Sequence, residues 1–453
     1  MKKARRFSLS TTHIILLSFL LAILLGSLLL ALPVSSADGI PVPYIDALFT
    51  ATTATCVTGL VTLPTVSAWS TFGHIVILIL IQIGGLGVIT VMSGLMLVLN
   101  RRMGLSDRFL LQDAFNLNSL SGILSFVRRV ILGTLAIEGI GSLLYMLVFV
   151  PEFGAKGIWI SVFNAISAFC NAGIDILSED SLCAYATHPL INTVTSLLVI
   201  LGGLGYVVWW DLLRVLKRFR THRLRCFRFL TLHSKIVLSA TLLLILLGAL
   251  LILLFEYDNP LTIGNLSFFD KLQVSLFQSV TTRTAGFATV PQQHLTSGAG
   301  IVSLLLMFIG GSPVGTAGGI KTVTFVVLCA SAFATVRHKD TVSLFHRTVE
   351  PDAVRKASAV TLVSFAIVLL ATLSLALVTD APALDVLFET VSATGTVGLS
   401  RNLTPFLNTA GKLIITCTMY LGRVGPISLA IAFGMKRGDP NLIQNPTESI
   451  HVG

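Results

Sequence analysis

Charge is what this chain has least of. Asp, Glu, Lys and Arg make up 11% of its 453 residues, against 54% hydrophobic, where a soluble globular domain carries about 25% charged residues. That deficit excludes a water-soluble fold. Cysteine forms no framework either: Cys56, Cys170, Cys183, Cys226, Cys329 and Cys417 contain no CxxC pair and lie mostly in apolar segments. Free buried thiols are therefore expected rather than disulfides or zinc. The nine histidines, His13, His74, His188, His233 and His294 among them, are scattered without metal-ligand spacing. With no converging His, Asp, Glu or Cys, neither an enzyme nor a cofactor held by this chain is expected.

What is present is apolar length. Several runs are long enough to cross a hydrocarbon core of about 30 Å, which takes about 20 helical residues. The fold class is an all-α integral membrane protein. The net charge of +10 sits in a few short connections between apolar runs, a placement that orients membrane proteins and gives no reason to expect nucleic acid. The opening MKKARR and the run Ile14–Leu32 imitate a signal peptide, but 19 residues exceed a signal core of about 7–15. The run reads as a retained membrane helix.

One stretch recurs four times: FTATTATCVTGL from Phe49, FNAISAFCNAGI from Phe163, FQSVTTRTAGF from Phe277 and FETVSATGTVGL from Phe388. Each opens on Phe and ends on glycine plus an apolar residue. Gly59, Gly173, Gly286 and Gly398 are spaced by 114, 113 and 112 residues, a period covering the whole chain. Each copy is preceded by a long apolar helix (M1) and followed by another (M2). The M1 segments are Ile14–Leu32, Val130–Val150, Ile236–Phe255 and Ser358–Val378. Short segments too brief to span (P) are Tyr44–Thr55, Ile158–Phe169, Phe268–Thr281 and Ala383–Ala393. The M2 segments are Phe72–Leu99, Leu190–Leu212, Gly300–Val336 and Ala410–Met435. The repeats cover 1–100, 130–212, 233–336 and 358–435, followed by a tail over 436–453. A single short segment would read equally well as an ordinary loop with an interfacial helix. Four in register argue for re-entrant helices.

Basic residues collect in Asn100–Arg129, Asp211–Lys235 and Arg337–Lys356, whereas Ser35–Gly73 has no Lys or Arg. The positive-inside rule then puts both termini and all three inter-repeat connections in the cytoplasm. The expected architecture is eight spanning helices with four re-entrant pore helices, dipping from outside around a central pore.

Side chains beside the glycines vary from copy to copy. Two residues before stand Val57, Asn171, Thr284 and Thr396; one before stand Thr58, Ala172, Ala285 and Val397. A site built from side chains would hold them constant. A site built from backbone needs only a conformation, which glycine supplies. Four such segments around one axis would present rings of carbonyl oxygens able to replace a cation's hydration shell. A pore helix entering from outside points its partly negative C-terminal end at them. That geometry suits a large monovalent cation such as K⁺ without by itself excluding Na⁺.

The four M1–P–M2 units and the motifs TCVTGL, CNAGI, RTAGF and TGTVGL resemble the Trk/Ktr/HKT superfamily of potassium transporters over essentially the whole chain. The likeness is greatest to the Ktr-type membrane subunit, since M1 follows a brief tail directly. The resemblance implies K⁺ uptake at the plasma membrane through a pore in each subunit, a homodimer, and a cytosolic nucleotide-binding regulatory ring. It also implies that glycine at all four filter positions favours K⁺ over Na⁺. A Na⁺-permeable or Na⁺/K⁺ transporter of the same fold is the alternative.

Aligning the M2 segments on their glycines matches Gly84–Gly87 with Gly202–Gly205, Gly310–Pro313 and Gly422–Gly425. The first two read as close helix packing by small residues. The third opens GGSPVGTAGGIKT, in which Gly310, Gly311, Gly315, Gly318, Gly319 and Pro313 cannot sustain a regular helix. Its GGIKT ending is not a phosphate loop, because Ile320 separates Gly319 from Lys321. The resemblance makes this stretch, with Ser312, Thr316 and Lys321, an intramembrane gate beneath the filter. In the fourth, Arg423 replaces a glycine; a charge inside a span is a functional candidate. It either pairs with a carboxylate such as Glu138 or Glu389, or, as the resemblance implies, opposes cations in the pore. Arg283, beside Gly286, either faces the pore or braces its pore helix. The basic connections suit anionic lipid, and the resemblance extends the tail from Lys436 to a neighbouring subunit or the regulatory ring.

Overall fold

The computed structural model describes residues 11–98, 111, 122–217 and 227–425. The MKKARR tail, part of the first two basic connections, the end of the fourth M2 segment and the tail from Lys436 lie outside the described residues. Helices longer than one turn are, in chain order, α1 (Thr11–Leu30), α2 (Tyr44–Cys56), α3 (Thr71–Leu86), α4 (Val88–Val98), α5 (Ile123–Phe153), α6 (Ala155–Cys170), α7 (Pro189–Leu204) and α8 (Tyr206–Leu216). Then follow α9 (Leu232–Glu256), α10 (Phe268–Thr281), α11 (Ser297–Phe308), α12 (Thr322–Val336), α13 (Pro351–Ala376), α14 (Ala383–Gly395) and α15 (Thr409–Val424). A two-stranded hairpin, Ser343–Leu344 with Arg347–Thr348, lies between α12 and α13.

Four unbroken helices, α1, α5, α9 and α13, are long and apolar enough to cross a membrane. They leave leucines such as Leu143, Leu147, Leu243 and Leu246 exposed, as helices facing acyl chains do. The short helices are the reverse. Almost every residue from Phe49 to Cys56, Phe163 to Cys170 and Phe388 to Gly395 is buried, so α2, α6 and α14, with α10, form the interior. The chain is a multi-pass membrane protein.

Among the described residues, the first two segments expected as single M2 helices are interrupted, as is the third, whose glycines already argue against a regular helix. Gly87 separates α3 from α4 at φ 85°, ψ 133°, and Gly205 separates α7 from α8 at φ 85°, ψ 141°, bending that pair by 99°. The stretch from Ile309 to Lys321 separates α11 from α12. Gly425 ends α15 at φ 88°, ψ 143°. The glycine groups assigned to packing therefore have two roles. The leading glycines do pack closely, while Gly87 and Gly205 adopt a backbone that residues with a Cβ rarely reach.

Packing runs in a closed order. The second helix of each quarter lies against the short helix of the next: α3 on α6, α7 on α10, α11 on α14, and α15 back on α2. The last contact carries an ion pair, Lys412 Nζ to Asp46 Oδ1 at 2.5 Å, joining the final quarter to the first. Asn408 and Ser70 cap α15 and α3 by accepting from the N–H of Gly411 and Gly73, ending the loops that return from the glycine turns.

Candidate functional site

Each short helix ends in the same unusual turn. Val57, Asn171, Thr284 and Thr396 have positive φ (54°, 59°, 70° and 50°), and Gly59, Gly173, Gly286 and Gly398 follow at 103°, 65°, 84° and 95°. Non-glycine residues there cost on the order of 1–3 kcal/mol each and persist only when their surroundings enforce them. Enforcement begins with backbone bonds to a single earlier residue. Thr58 N–H donates to Thr53 O, Ala172 to Ser167 O and Val397 to Ser392 O, all at 2.8 Å, and Ala285 to Thr281 O at 2.9 Å.

The hydroxyls of those four residues complete the turn. Thr53 Oγ1 accepts from Gly59 N–H at 2.9 Å and Ser392 Oγ from Gly398 N–H at 3.1 Å. Ser167 Oγ accepts from Ile174 N–H at 3.1 Å and donates to Ile174 O at 2.5 Å. Thr281 Oγ1 donates to Phe287 O at 2.6 Å. Comparing offsets from the glycine misses this group, because the third copy is one residue shorter. Counted from the opening Phe, a hydroxyl stands four residues on in every copy.

The four glycines converge in a ring that closes in chain order. A Cβ on Gly59 would lie 2.6 Å from Ala172 O; on Gly173, 2.4 Å from Ala285 O; on Gly286, 2.6 Å from Val397 O; on Gly398, 2.2 Å from Thr58 O. Each glycine thus faces the carbonyl of the residue preceding the next glycine, with no room for a side chain. One face of this ring opens on a cavity of about 550 Å³ lined by all four glycines and the loops that follow them, including Asp175, Glu179 and Ser400.

On the helix side of the ring, the leading M2 glycines seat on the short helices. A Cβ would meet Thr55 O at 2.0 Å from Gly84, Phe169 O at 2.0 Å from Gly202, and Thr394 O at 2.2 Å from Gly422. All three carbonyls belong to the residue four before the turn glycine. Gly310 breaks the pattern: its Cβ would strike Gly318 O at 2.0 Å, because the chain there folds back on itself. Gly310 N–H donates to Ile320 O at 2.9 Å and Thr322 N–H to Gly311 O at 3.0 Å, closing the loop at its base. Its tip docks on the α7–α8 break, with Ser312 N–H on Gly203 O (2.9 Å), Thr316 N–H on Gly202 O (3.2 Å) and Tyr206 N–H on Val314 O (3.0 Å). Gly318 lies against Thr396, whose Oγ1 would be 1.9 Å from an added Cβ.

Three cations hold this loop by its carbonyls. Arg283, buried at 7% exposure, donates to Gly310 O at 3.2 Å, so it turns to the base of the loop. Lys321 Nζ donates to Ala317 O at 2.6 Å. Arg423 donates through Nη1 to Thr316 O at 2.6 Å and through Nη2 to Gly84 O. Neither carboxylate considered for Arg423 pairs with it. Glu138 accepts from Gln82 at 3.2 Å, and Glu389 accepts from Ser400 at 2.8 Å and from Thr404.

Long helices with exposed apolar faces around a buried ring of backbone, with a non-helical loop packed against it, define a membrane transport protein. Irregular backbone survives there only where protein buries it or it lines an aqueous path. The chain belongs to the cation transport protein family designated TrkH, whose description matches residues 6–444. It is 40% identical to the Ktr system potassium uptake protein B of Bacillus subtilis over 442 residues, 97% of this chain and 96% of the relative. It is 39% identical to the potassium/sodium uptake protein NtpJ of Enterococcus hirae over 460 residues, 100% and 99% of the two. Its fold matches the crystal structure of the potassium transporter TrkH from Vibrio parahaemolyticus with a TM-score of 0.74 at 16% identity, covering 95% of this chain and 86% of that one. The family is one of transporters, not enzymes.

Proposed function

We propose that this chain takes up K⁺ across the plasma membrane through a filter of backbone carbonyls, one glycine from each of four M1–P–M2 repeats. The repeats are 1–100, 130–212, 233–336 and 358–435. In this reading eight membrane crossings surround four re-entrant pore helices, α2, α6, α10 and α14, and both termini are cytoplasmic. The carbonyls belong to the residues from Val57 to Gly59, Asn171 to Gly173, Thr284 to Gly286 and Thr396 to Gly398. The observation that carries it is the closed ring, in which each glycine faces the carbonyl of the next segment. Its N–H groups are partly consumed by the bracing hydroxyls, which leaves carbonyls as the groups available to a cation. The four short helices end at this ring, and their C-terminal dipoles favour positive charge there.

The gate is the loop 310–322 with Arg423. Held by Arg283, Lys321 and Arg423, it crosses between the second and fourth quarters and blocks the path with backbone and positive charge. Opening requires those carbonyl contacts to break. Regulation by a cytosolic nucleotide-binding ring, a homodimeric assembly, and anionic lipids at the basic connections belong to the same proposal. The ring is supported by relatives named as parts of a Ktr system. Combined Na⁺/K⁺ permeation is the second reading, favoured by the relative named for potassium/sodium uptake.

Complementation of K⁺-uptake-deficient bacteria tests the filter. The wild type should restore growth at low K⁺, and Gly→Ser at position 59, 173, 286 or 398 should abolish or relax it. Growth unaffected by all four changes would overturn the filter reading, and equal uptake from K⁺ and Na⁺ media would favour the second.

A further inference from the structure

Thr316 sits where three quarters of the molecule meet. Its N–H donates to Gly202 O and its carbonyl accepts from Arg423. Its hydroxyl lies 3.1 Å from Phe169 O and 3.0 Å from Asn171 Oδ1. A hydroxyl carries one proton and cannot donate to both, while Asn171 Nδ2 is buried with no hydrogen-bond partner. Amide orientation is assigned from the network around it. Turning the Asn171 amide lets Nδ2 donate to Thr316 Oγ1 and lets the hydroxyl donate to Phe169 O, so that Nδ2 and the hydroxyl proton each have a partner.

The equivalent positions make no such bond. Val57 has no polar atom, and the hydroxyls of Thr284 and Thr396 are buried without hydrogen-bond partners. Among the described residues, the second glycine turn is the one whose side chain bonds to the loop. Asn171 holds φ 59°, and the next carbonyl, Ala172 O, is the one facing Gly59.

We infer that the Asn171–Thr316 bond makes the filter and the gate one coupled element, with Asn171 and Thr316 as its positioning residues. Withdrawal of the loop leaves the Asn171 amide unpaired and frees the Ala172 carbonyl to shift. By reciprocity, a filter occupied by its preferred ion favours one position of the loop. The inference rests on the filter and gate readings proposed above.

The test is radiotracer K⁺ uptake by the full chain in proteoliposomes, with Vmax, KM for K⁺ and inhibition by Na⁺ measured separately. The variants are Thr316→Val, Asn171→Gly, their combination, and Thr316→Ser. Asn171→Gly removes the amide while tolerating positive φ, so it reports even if Thr316→Val fails to fold. Each disruptive single change should raise KM and weaken discrimination against Na⁺ by about fivefold or more, the low end of typical coupling between sites. The combination should be no worse than either alone, and Thr316→Ser should behave as wild type. A change in Vmax alone, or single effects that multiply in the combination, would overturn the inference. A Gly173→Ser control separates the failures: if it leaves KM and ion discrimination unchanged, the filter reading has failed rather than the link.

Discussion

Arg423 bridges two backbone carbonyls from different quarters, Thr316 O on the loop and Gly84 O on α3. Its charge is thus spent on main-chain oxygen rather than on a carboxylate. A charge-assisted bond of this kind is worth about 1.5–3 kcal/mol, enough to hold a loop in place and small enough to be released.

Replacing Arg423 with Ala should therefore raise K⁺ flux several-fold in liposomes, and deletions within Val314–Gly318 should do the same. Flux that stays at the wild-type level, with regulation intact, would refute the gating assignment.

The seat of Gly318 against Thr396 makes a second prediction. A methyl group 1.9 Å from Thr396 Oγ1 and 2.8 Å from Gly395 O cannot be accommodated without moving the loop. Gly318→Ala should lower stability by about 1–3 kcal/mol, as overpacking does, and should raise basal uptake. A thermal-shift assay beside the flux assay reads both.

The bracing hydroxyls should matter for selectivity. Ser167→Ala removes two bonds to Ile174, and Thr53→Val and Ser392→Ala each remove one to a turn glycine, Gly59 or Gly398. Loss of about 1 kcal/mol per bond predicts roughly fivefold weaker discrimination between K⁺ and Na⁺, largest for Ser167→Ala. Competitive uptake assays check the order.

The Asp46–Lys412 pair closes the ring of quarters, with side-chain exposures of 8% and 15%. Breaking one member of a buried pair costs about 3–5 kcal/mol. Asp46→Asn or Lys412→Met alone should lower the unfolding temperature in detergent clearly. Asp46→Leu with Lys412→Met should recover much of the loss, because no charge is left unpaired.

Legibility followed the interactions that are local in sequence. The four copies, the short helices and the glycines can be read because each is a contiguous pattern; the third short segment, Phe268–Thr281, coincides with α10. The hydroxyl four residues after each Phe was also readable in principle. The breaks at Gly87 and Gly205 were not, because a glycine in an apolar helix serves close packing and chain reversal alike, and the neighbours choose between them. Nor did sequence choose a partner for Arg423: Glu138, Glu389 and the carbonyls of Gly84 and Thr316 are all remote from it along the chain.

Hydropathy, helix length and glycine position are properties of short segments, so a membrane protein with four equivalent turns can be read from the chain alone. Which turn closes on which, and which carbonyls the departing loop and Arg423 rest on, came only from the packed chain. Both depend on which carbonyl lies within 3 Å of which distant residue, and no local preference specifies that.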